Sequence, residues 1–369
     1  KRQVHVDNVR SSDLTDAQPD FNIDSCAPHI GAVGQFRRLA AEPHGMILAL
    51  QIETLPTEGK SRGLTCTTNQ GGVAVASNLA RTAHPEARIH LTHVNLDQLE
   101  ANYICDQLYG RLEPVFRFYG ITPSATALAK IIQDALEDRL QHRREVADLA
   151  ADLAEEALQE GRQVALVIGR EYILNPGIYD SHIQRLLRDK QVAAIPSYVL
   201  DMELDEDYGH IYWRNSHFIL TLLSAVAHRR LHKRLRHSRL SEIFRGIEED
   251  PAGPLLPVVQ ISTFSCGPDS ITSHYIAEIM KQRPFLLIQS DAIIKELAHL
   301  ENRVNTYVKQ LEQGLHRKLH IGGEGRFEVH TLASLSSQEP LNRESDVIYF
   351  PTLSDTRPLT AVFRGAGYT

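Results

Sequence analysis

Cysteine is scarce here, with four in 369 residues. That is too few for a disulfide scaffold and leaves free thiols or metal ligands as the roles for each. Long apolar runs are also missing: none approaches the roughly 20 residues that cross a bilayer. The opening Lys1-Arg2-Gln3-Val4-His5 lacks the apolar core of a signal peptide. We therefore expect a cytoplasmic protein with no membrane partner. No excess of positive charge exists either. A net charge of -7 gives no general reason to expect nucleic acid as a partner. The eighteen histidines show no metalloprotease-like pairing, no two cysteines stand at zinc-ribbon or ferredoxin spacing, and no phosphate-binding loop occurs.

What is present is ordinary globular composition, 42% hydrophobic and 23% charged, in a chain long enough for two or three cores. Short apolar runs alternate with longer periodic segments, which predicts parallel α/β units. We expect a first α/β domain over residues 1–120, with strands at 46–52 and 89–94, a helix opening at Gly71-Gly72, and another over 96–108. Residues 121–160 turn to Ala, Leu, Glu, Gln and Arg and predict a helical connector. Its buried face is expected at Ile131, Leu136, Leu140, Val146, Leu149, Leu153 and Leu158. A second α/β domain, 161–320, is expected with strands at 163–168, 192–195, 255–259 and 285–289, and a long final helix over 291–319. Residues 212–239 read as a helix, apolar first and basic later; the run from His228 to His237 is expected to be its solvated face. Gly322-Gly323-Glu324-Gly325 reads as a hinge, followed by the start of a further α/β unit over 321–369 with strands at 327–332 and 347–350 and a helix at 359–364. The absence of an initiator Met and the stop just after an apparent helix suggest a segment of something longer. The fold class expected is two Rossmann-like parallel-sheet domains with a cleft between them.

Three cysteines share one local setting. Cys26 in Ser25-Cys26-Ala27-Pro28, Cys66 in Leu64-Thr65-Cys66-Thr67 and Cys266 in Ser265-Cys266-Gly267-Pro268 each stand in a loop that opens a helix. There the helix dipole and nearby amides favour a thiolate. Cys266 also follows a strand, and open α/β sheets place their chemistry at carboxyl ends of strands. Cys105, inside a helical stretch, is better explained by packing. Spacing alone leaves three roles open: cluster ligands, a zinc site completed by His29, or buried small hydrophobes. Arg170 follows another strand end, where it could bind an anion or brace a cleft.

The stretch Gln260-Ile261-Ser262-Thr263-Phe264-Ser265-Cys266-Gly267-Pro268-Asp269-Ser270 resembles the CGPD motif of acyl-CoA dehydratase activase-related proteins, relatives of the 2-hydroxyacyl-CoA dehydratase subunits. The loop Gly169-Arg170-Glu171-Tyr172-Ile173-Leu174-Asn175-Pro176-Gly177-Ile178 is similar to their arginine loop, and Tyr212-Trp213-Arg214 and Pro284 to Asp291 resemble later segments in the same order. The chain departs from that pattern where the family's Pro and His are replaced by Glu171 and Ile173, its Asp-Pro by Asn175-Pro176, and its INHG by Ile178-Tyr179-Asp180-Ser181.

The resemblance implies a [4Fe-4S] cluster held by Cys26, Cys66 and Cys266, with Arg170, Tyr172 and Asn175 binding cofactor or substrate. An aerobic preparation can lack such a cluster. It implies electrons delivered by an ATP-hydrolysing activator module, upstream in the same chain, for reduction or dehydration of an acyl-CoA or other small molecule. A homodimer is compatible with this. The alternative is a domain of the same fold that binds or scaffolds without a cluster.

Overall fold

A computed structural model describes residues 4–21, 25–42, 45–57, 62–250, 255–281, 283–290, 297–313 and 364. It is a mixed α/β structure in which every paired strand of the two sheets is parallel. Strand β1 (Ile47–Thr54) pairs with β2 (Ile89–Asn95) in a two-stranded sheet. Helices α1 (Ser11–Ala17), α2 (Ala27–Ala41) and α3 (Thr67–Ala83) share its core, through Leu14, Ile30, Val33, Phe36, Ala49, Ala76 and Ile89. Two glycines permit close approach. A Cβ on Gly34 would overlap the Asp13 carbonyl of α1, and one on Gly31 would collide with the Tyr179 hydroxyl.

The second sheet has the order β4-β3-β5-β6, from β3 (Gln163–Ile168), β4 (Val192–Pro196), β5 (Val258–Thr263) and β6 (Phe285–Ser290). Successive strand residues face opposite sides, so β3 divides its apolar run between two cores. Val164, Leu166 and Ile168 meet α6 (Ala125–Gln159), α9 (Arg214–Ala227) and α10 (Ser238–Glu249). Ala165 and Val167 meet α7 (Glu171–Leu174), α8 (Ile183–Arg188) and α12 (Leu297–Glu312). Continuous apolar strands are what a parallel sheet covered on both faces requires. Helices α4 (Ala101–Arg111) and α5 (Glu113–Tyr119) follow β2, and α11 (Gly267–Ile279) follows β5. Among the described residues, no helix is long and apolar enough to cross a membrane.

Three expectations need correction. The 35-residue α6 buries Ala147, Ala150, Ala151, Ala154 and Ala157, not the leucine stripe; Ile131 and Leu149 are 65% and 66% exposed, and Leu140, Leu153 and Leu158 are exposed as well. Alanines let the helix backbone approach neighbours that leucines would hold off. Residues 212–239 are not one helix: α9 ends at Ala227 and Arg229 takes a positive φ of 53°. The basic run becomes an ion-paired corner. Arg229 donates to the Glu248 and Asp250 carbonyls, His232 pairs with the buried Glu248 at 2.6 Å, and Arg234 and Arg236 pair with Asp205 and Asp201. Glu248 also accepts from the Leu231 and His232 amides, which holds the corner to α10. Helix α3 starts at Thr67, four residues ahead of the expected opening, so Cys66 is its N-cap. Residues 291–296 and 314–363 of the expected last helix, hinge and further unit lie outside the described residues.

Two substitutions test these packing statements in urea unfolding. Leu166→Ala should cost roughly 2–5 kcal/mol, since Leu166 is fully buried. Gly34→Ala should cost about 3 kcal/mol by forcing α1 off α2.

Candidate functional site

All three cysteines end up at helix N-caps: Cys26 on α2, Cys66 on α3 and Cys266 on α11. Pro28 and Pro268 suit the first turns that follow, their missing amide hydrogens costing nothing there. Cysteine is not a preferred cap residue, so its presence at three N-caps calls for a reason other than helix stability. The Cys66 sulfur takes part in capping, accepting from the Asn69 amide at 3.4 Å. All three thiols are half-buried, while Cys105 is buried inside α4, with its thiol donating to the Ala125 carbonyl.

The Cys66 loop is held from both sides. Thr65 donates through its hydroxyl to the Ile52 carbonyl at 2.9 Å and through its amide to the Glu53 carbonyl, fixing the loop to β1. Leu64 forms a parallel bridge with Trp213, its amide donating to Tyr212 and its carbonyl accepting from Arg214. The Arg214 side chain reaches the Pro56 carbonyl at 2.6 Å. Cys66 is therefore tied to the entrance of α9 as well as to the small sheet. Beside it, α2 and α3 meet closely: a Cβ on Gly72 would stand 3.1 Å from the His29 ring. Burial raises the Cys26 pKa, and the neighbouring Cys66 raises it further, while the His29 amide and the Thr68 hydroxyl oppose the rise.

Cys266 is reached from the other side. Ser265 takes a positive φ of 63°, turning the chain sharply between β5 and α11. At the end of β3, Arg170 points into this turn. Its Nη2 donates to Asp269 Oδ1 at 2.7 Å and stands 3.9 Å from the Cys266 sulfur. Asp269 Oδ2 accepts from the Ser262 hydroxyl at 2.7 Å. Arg170 is 8% exposed and Asp269 7%. Burial works against the charge on Arg170, but the Asp269 carboxylate and the Cys266 sulfur outweigh it, so its pKa stands above the ordinary value. Burial pushes the Cys266 thiol up to about 12; Asp269 adds to the rise and Arg170 opposes it.

Two tyrosines lie near these groups. Tyr172 and Tyr179 pack edge to face with centroids 5.7 Å apart. Tyr172 meets the Thr263 hydroxyl at 3.2 Å, and Tyr179 packs on the core of the small sheet. Burial raises the Tyr172 pKa, and both Cys266 and Cys26 lie near enough to add to it. Burial and then Cys26 do the same to Tyr179. Tyr172 thus has cysteines of both sides within electrostatic reach. Asn175 ends α7, where its amide donates to the Glu171 carbonyl. His29 engages Ser25 through Nδ1 at 2.9 Å.

Of the sequence-predicted residues, Arg170 and Cys266 meet directly, Cys66 acts on Cys26, and Cys266 and Cys26 both act on Tyr172. Among the described residues, no group of three His, Cys, Asp or Glu side chains is set to hold one metal ion. The chain matches no protein-family model and no curated protein. Function must therefore be argued from these residues. Sequence reasoning missed Tyr179 and Thr68, whose types and spacing carry no signal until α2, α3 and the β3 loop are brought together. It passed over Ser262, although the alternation along β5 puts Ser262 on the opposite face from Thr263.

The buried pair makes a stability prediction. Asp269→Ala should destabilise the chain by roughly 3–5 kcal/mol, because it leaves Arg170 charged and unpaired in the interior. The double substitution Arg170→Met with Asp269→Leu should recover most of that loss. Urea unfolding of the two variants checks the order.

Proposed function

We propose that this chain is the iron–sulfur redox module of a protein related to acyl-CoA dehydratases and their activases, with Cys26, Cys66 and Cys266 as ligands of a [4Fe-4S] cluster. The observation that carries this reading is the placement of the three cysteines. Each caps a helix, and Tyr172 has Cys26 and Cys266 in electrostatic reach while Cys66 adjoins Cys26. The donor set suits the group: thiolates are the ligands of such clusters, and helix N-termini favour them. A cluster distributes its thiolates over separate irons, so its ligands stand farther apart than those around one ion.

When bound, such a cluster supplies one-electron reduction at low potential. The protein's own share is to desolvate and orient. Burial keeps the metal-free Cys26 and Cys266 thiols neutral, so loading would release their protons. Tyr172 and Tyr179 pack edge to face beside the Cys266 turn and add apolar surface there. Electrons come from an ATP-hydrolysing module, and the acceptor is an acyl-CoA or another small molecule. Arg170 is committed to Asp269 in this structure, which favours bracing over capture of a CoA phosphate.

The second reading is a binding or scaffold domain of the same fold without a cluster. The raised thiol pKa values of Cys26 and Cys266 favour it, since buried neutral thiols also pack well.

Anaerobic purification followed by iron and sulfide analysis, with EPR of the reduced protein, separates the two. We expect about four irons per chain in the parent and in Cys105→Ala. Large losses are expected in Cys26→Ala, Cys66→Ala and Cys266→Ala. A parent chain that stays iron-free after anaerobic reconstitution would establish the scaffold reading instead.

A further inference from the structure

The amino ends of β5 and β6 border a pocket at the edge of the sheet opposite to the Cys266 turn. Leu255 and Leu256 lead into β5, and Arg283 stands two residues before β6. Val226 and Ile247 complete the apolar wall, and Arg229 lines the pocket beside Arg283 and Glu248. Its empty space, part of it open to solvent, measures about 250 Å³. Sites for drug-sized ligands hold roughly 300–1,000 Å³, so only a small molecule fits here.

The two arginines are held at helix ends. Arg229 keeps a positive φ of 53°, a conformation that costs a non-glycine residue energy. From there its Nε donates to the Glu248 carbonyl and its Nη2 to the Ile247 and Asp250 carbonyls, closing the end of α10. Arg283 donates through Nη2 to the carbonyl of Ala227, the last residue of α9. Among the described residues neither guanidinium meets a carboxylate, and Arg229 Nη1 with Arg283 Nε and Nη1 make no hydrogen bond. The Glu248 carboxylate is engaged elsewhere, accepting from the Leu231 and His232 amides and pairing with the His232 ring. A helix C-terminus carries about half a negative charge, so two of them leave about one positive charge of the pair uncompensated. Arg283 feels that excess. Burial lowers its pKa, and the charge of Arg229 lowers it further.

We propose that Arg229 and Arg283 form a binding site for a small carboxylate with a short apolar tail. The carboxylate takes the free N–H groups of the two guanidiniums, whose planar forks match its geometry. Its tail lies against Val226, Ile247, Leu255 and Leu256. A single negative charge balances the charge that the helix ends leave over, whereas a phosphate dianion exceeds it. The site is separate from the cysteines and does not depend on their holding a cluster.

Isothermal titration of the intact, metal-free chain with sodium butyrate, at constant ionic strength, tests this. We expect one site per chain with a Kd of about a millimolar or tighter. Butyramide, the neutral isostere, should bind at least about tenfold more weakly, and so should butyrate to Arg283→Gln. Leu255→Phe keeps both charges and narrows the pocket, so it too should weaken butyrate binding. Circular dichroism and thermal melting check the fold of each variant. Where Arg283→Gln fails to fold, Leu255→Phe and the comparison of butyrate with butyramide in the parent still decide. Equal binding of the two probes would overturn the proposal, as would the absence of saturable heat from the parent up to about 20 mM butyrate. Tighter binding of inorganic phosphate than of butyrate would overturn the assignment to a carboxylate.

Discussion

Two opposite charges withdrawn from water, Arg170 and Asp269, join the end of β3 to the first turn of α11. Much of the candidate site depends on that contact. Desolvating such a pair costs several kcal/mol per ion, and only close geometry with further hydrogen bonds offsets it. Here the 2.7 Å contact and the Ser262 hydroxyl provide both. A buried pair is a poor device for stability alone, since apolar residues of the same volume do as well. It is a good device for orientation, because neither charge can move without losing its partner. Cys266 lies one turn from Asp269 and beside Arg170, so the pair fixes the ground on which the sulfur stands.

The small sheet is brought to this place by two different means. The Leu64–Trp213 bridge is directional: backbone hydrogen bonds tie the Cys66 loop to the entrance of α9. Tyr179 is steric, with its ring on the core of the small sheet and its hydroxyl against Gly31. Together with the Tyr172–Tyr179 contact these join the small sheet to the β3 loop and to α9. Between the sheets in sequence runs α6, whose alanine face packs its C-terminal half into the core around β3. Ile131, Leu140, Leu149, Leu153 and Leu158 turn outward.

Legibility followed the range of the forces involved. The β3 strand was evident from Gln163 to Ile168, and the apolar run Leu255 to Val259 announced β5, which begins only at Val258 and continues to Thr263. The helix starts at Cys26 and Cys266 were readable from the proline two residues on. Around Cys66, Thr67 and Thr68 carried no such mark, and Gly71-Gly72 drew the expected start too far along. The α6 burial was inverted because a leucine stripe outweighs an alanine stripe in any hydrophobic periodicity, whereas packing distance rewards the smaller residue. Arg229 ended the expected basic helix through a backbone conformation that composition does not announce.

Local order was therefore written in the sequence: alternating parallel α/β elements, cysteines at loop-to-helix junctions, an arginine at a strand end. These depend on propensity, periodicity and capping, which act over a few residues. The tertiary structure decided what those residues meet. It gave Arg170 to Asp269 and Cys266, brought Tyr172 within electrostatic reach of Cys266 and Cys26, and made an ion-paired corner of a basic run. Such partners lie far apart in the chain, 96 residues for Arg170 and Cys266. Burial then sets the strength of their interaction, because charges withdrawn from water are screened far less than charges left in it.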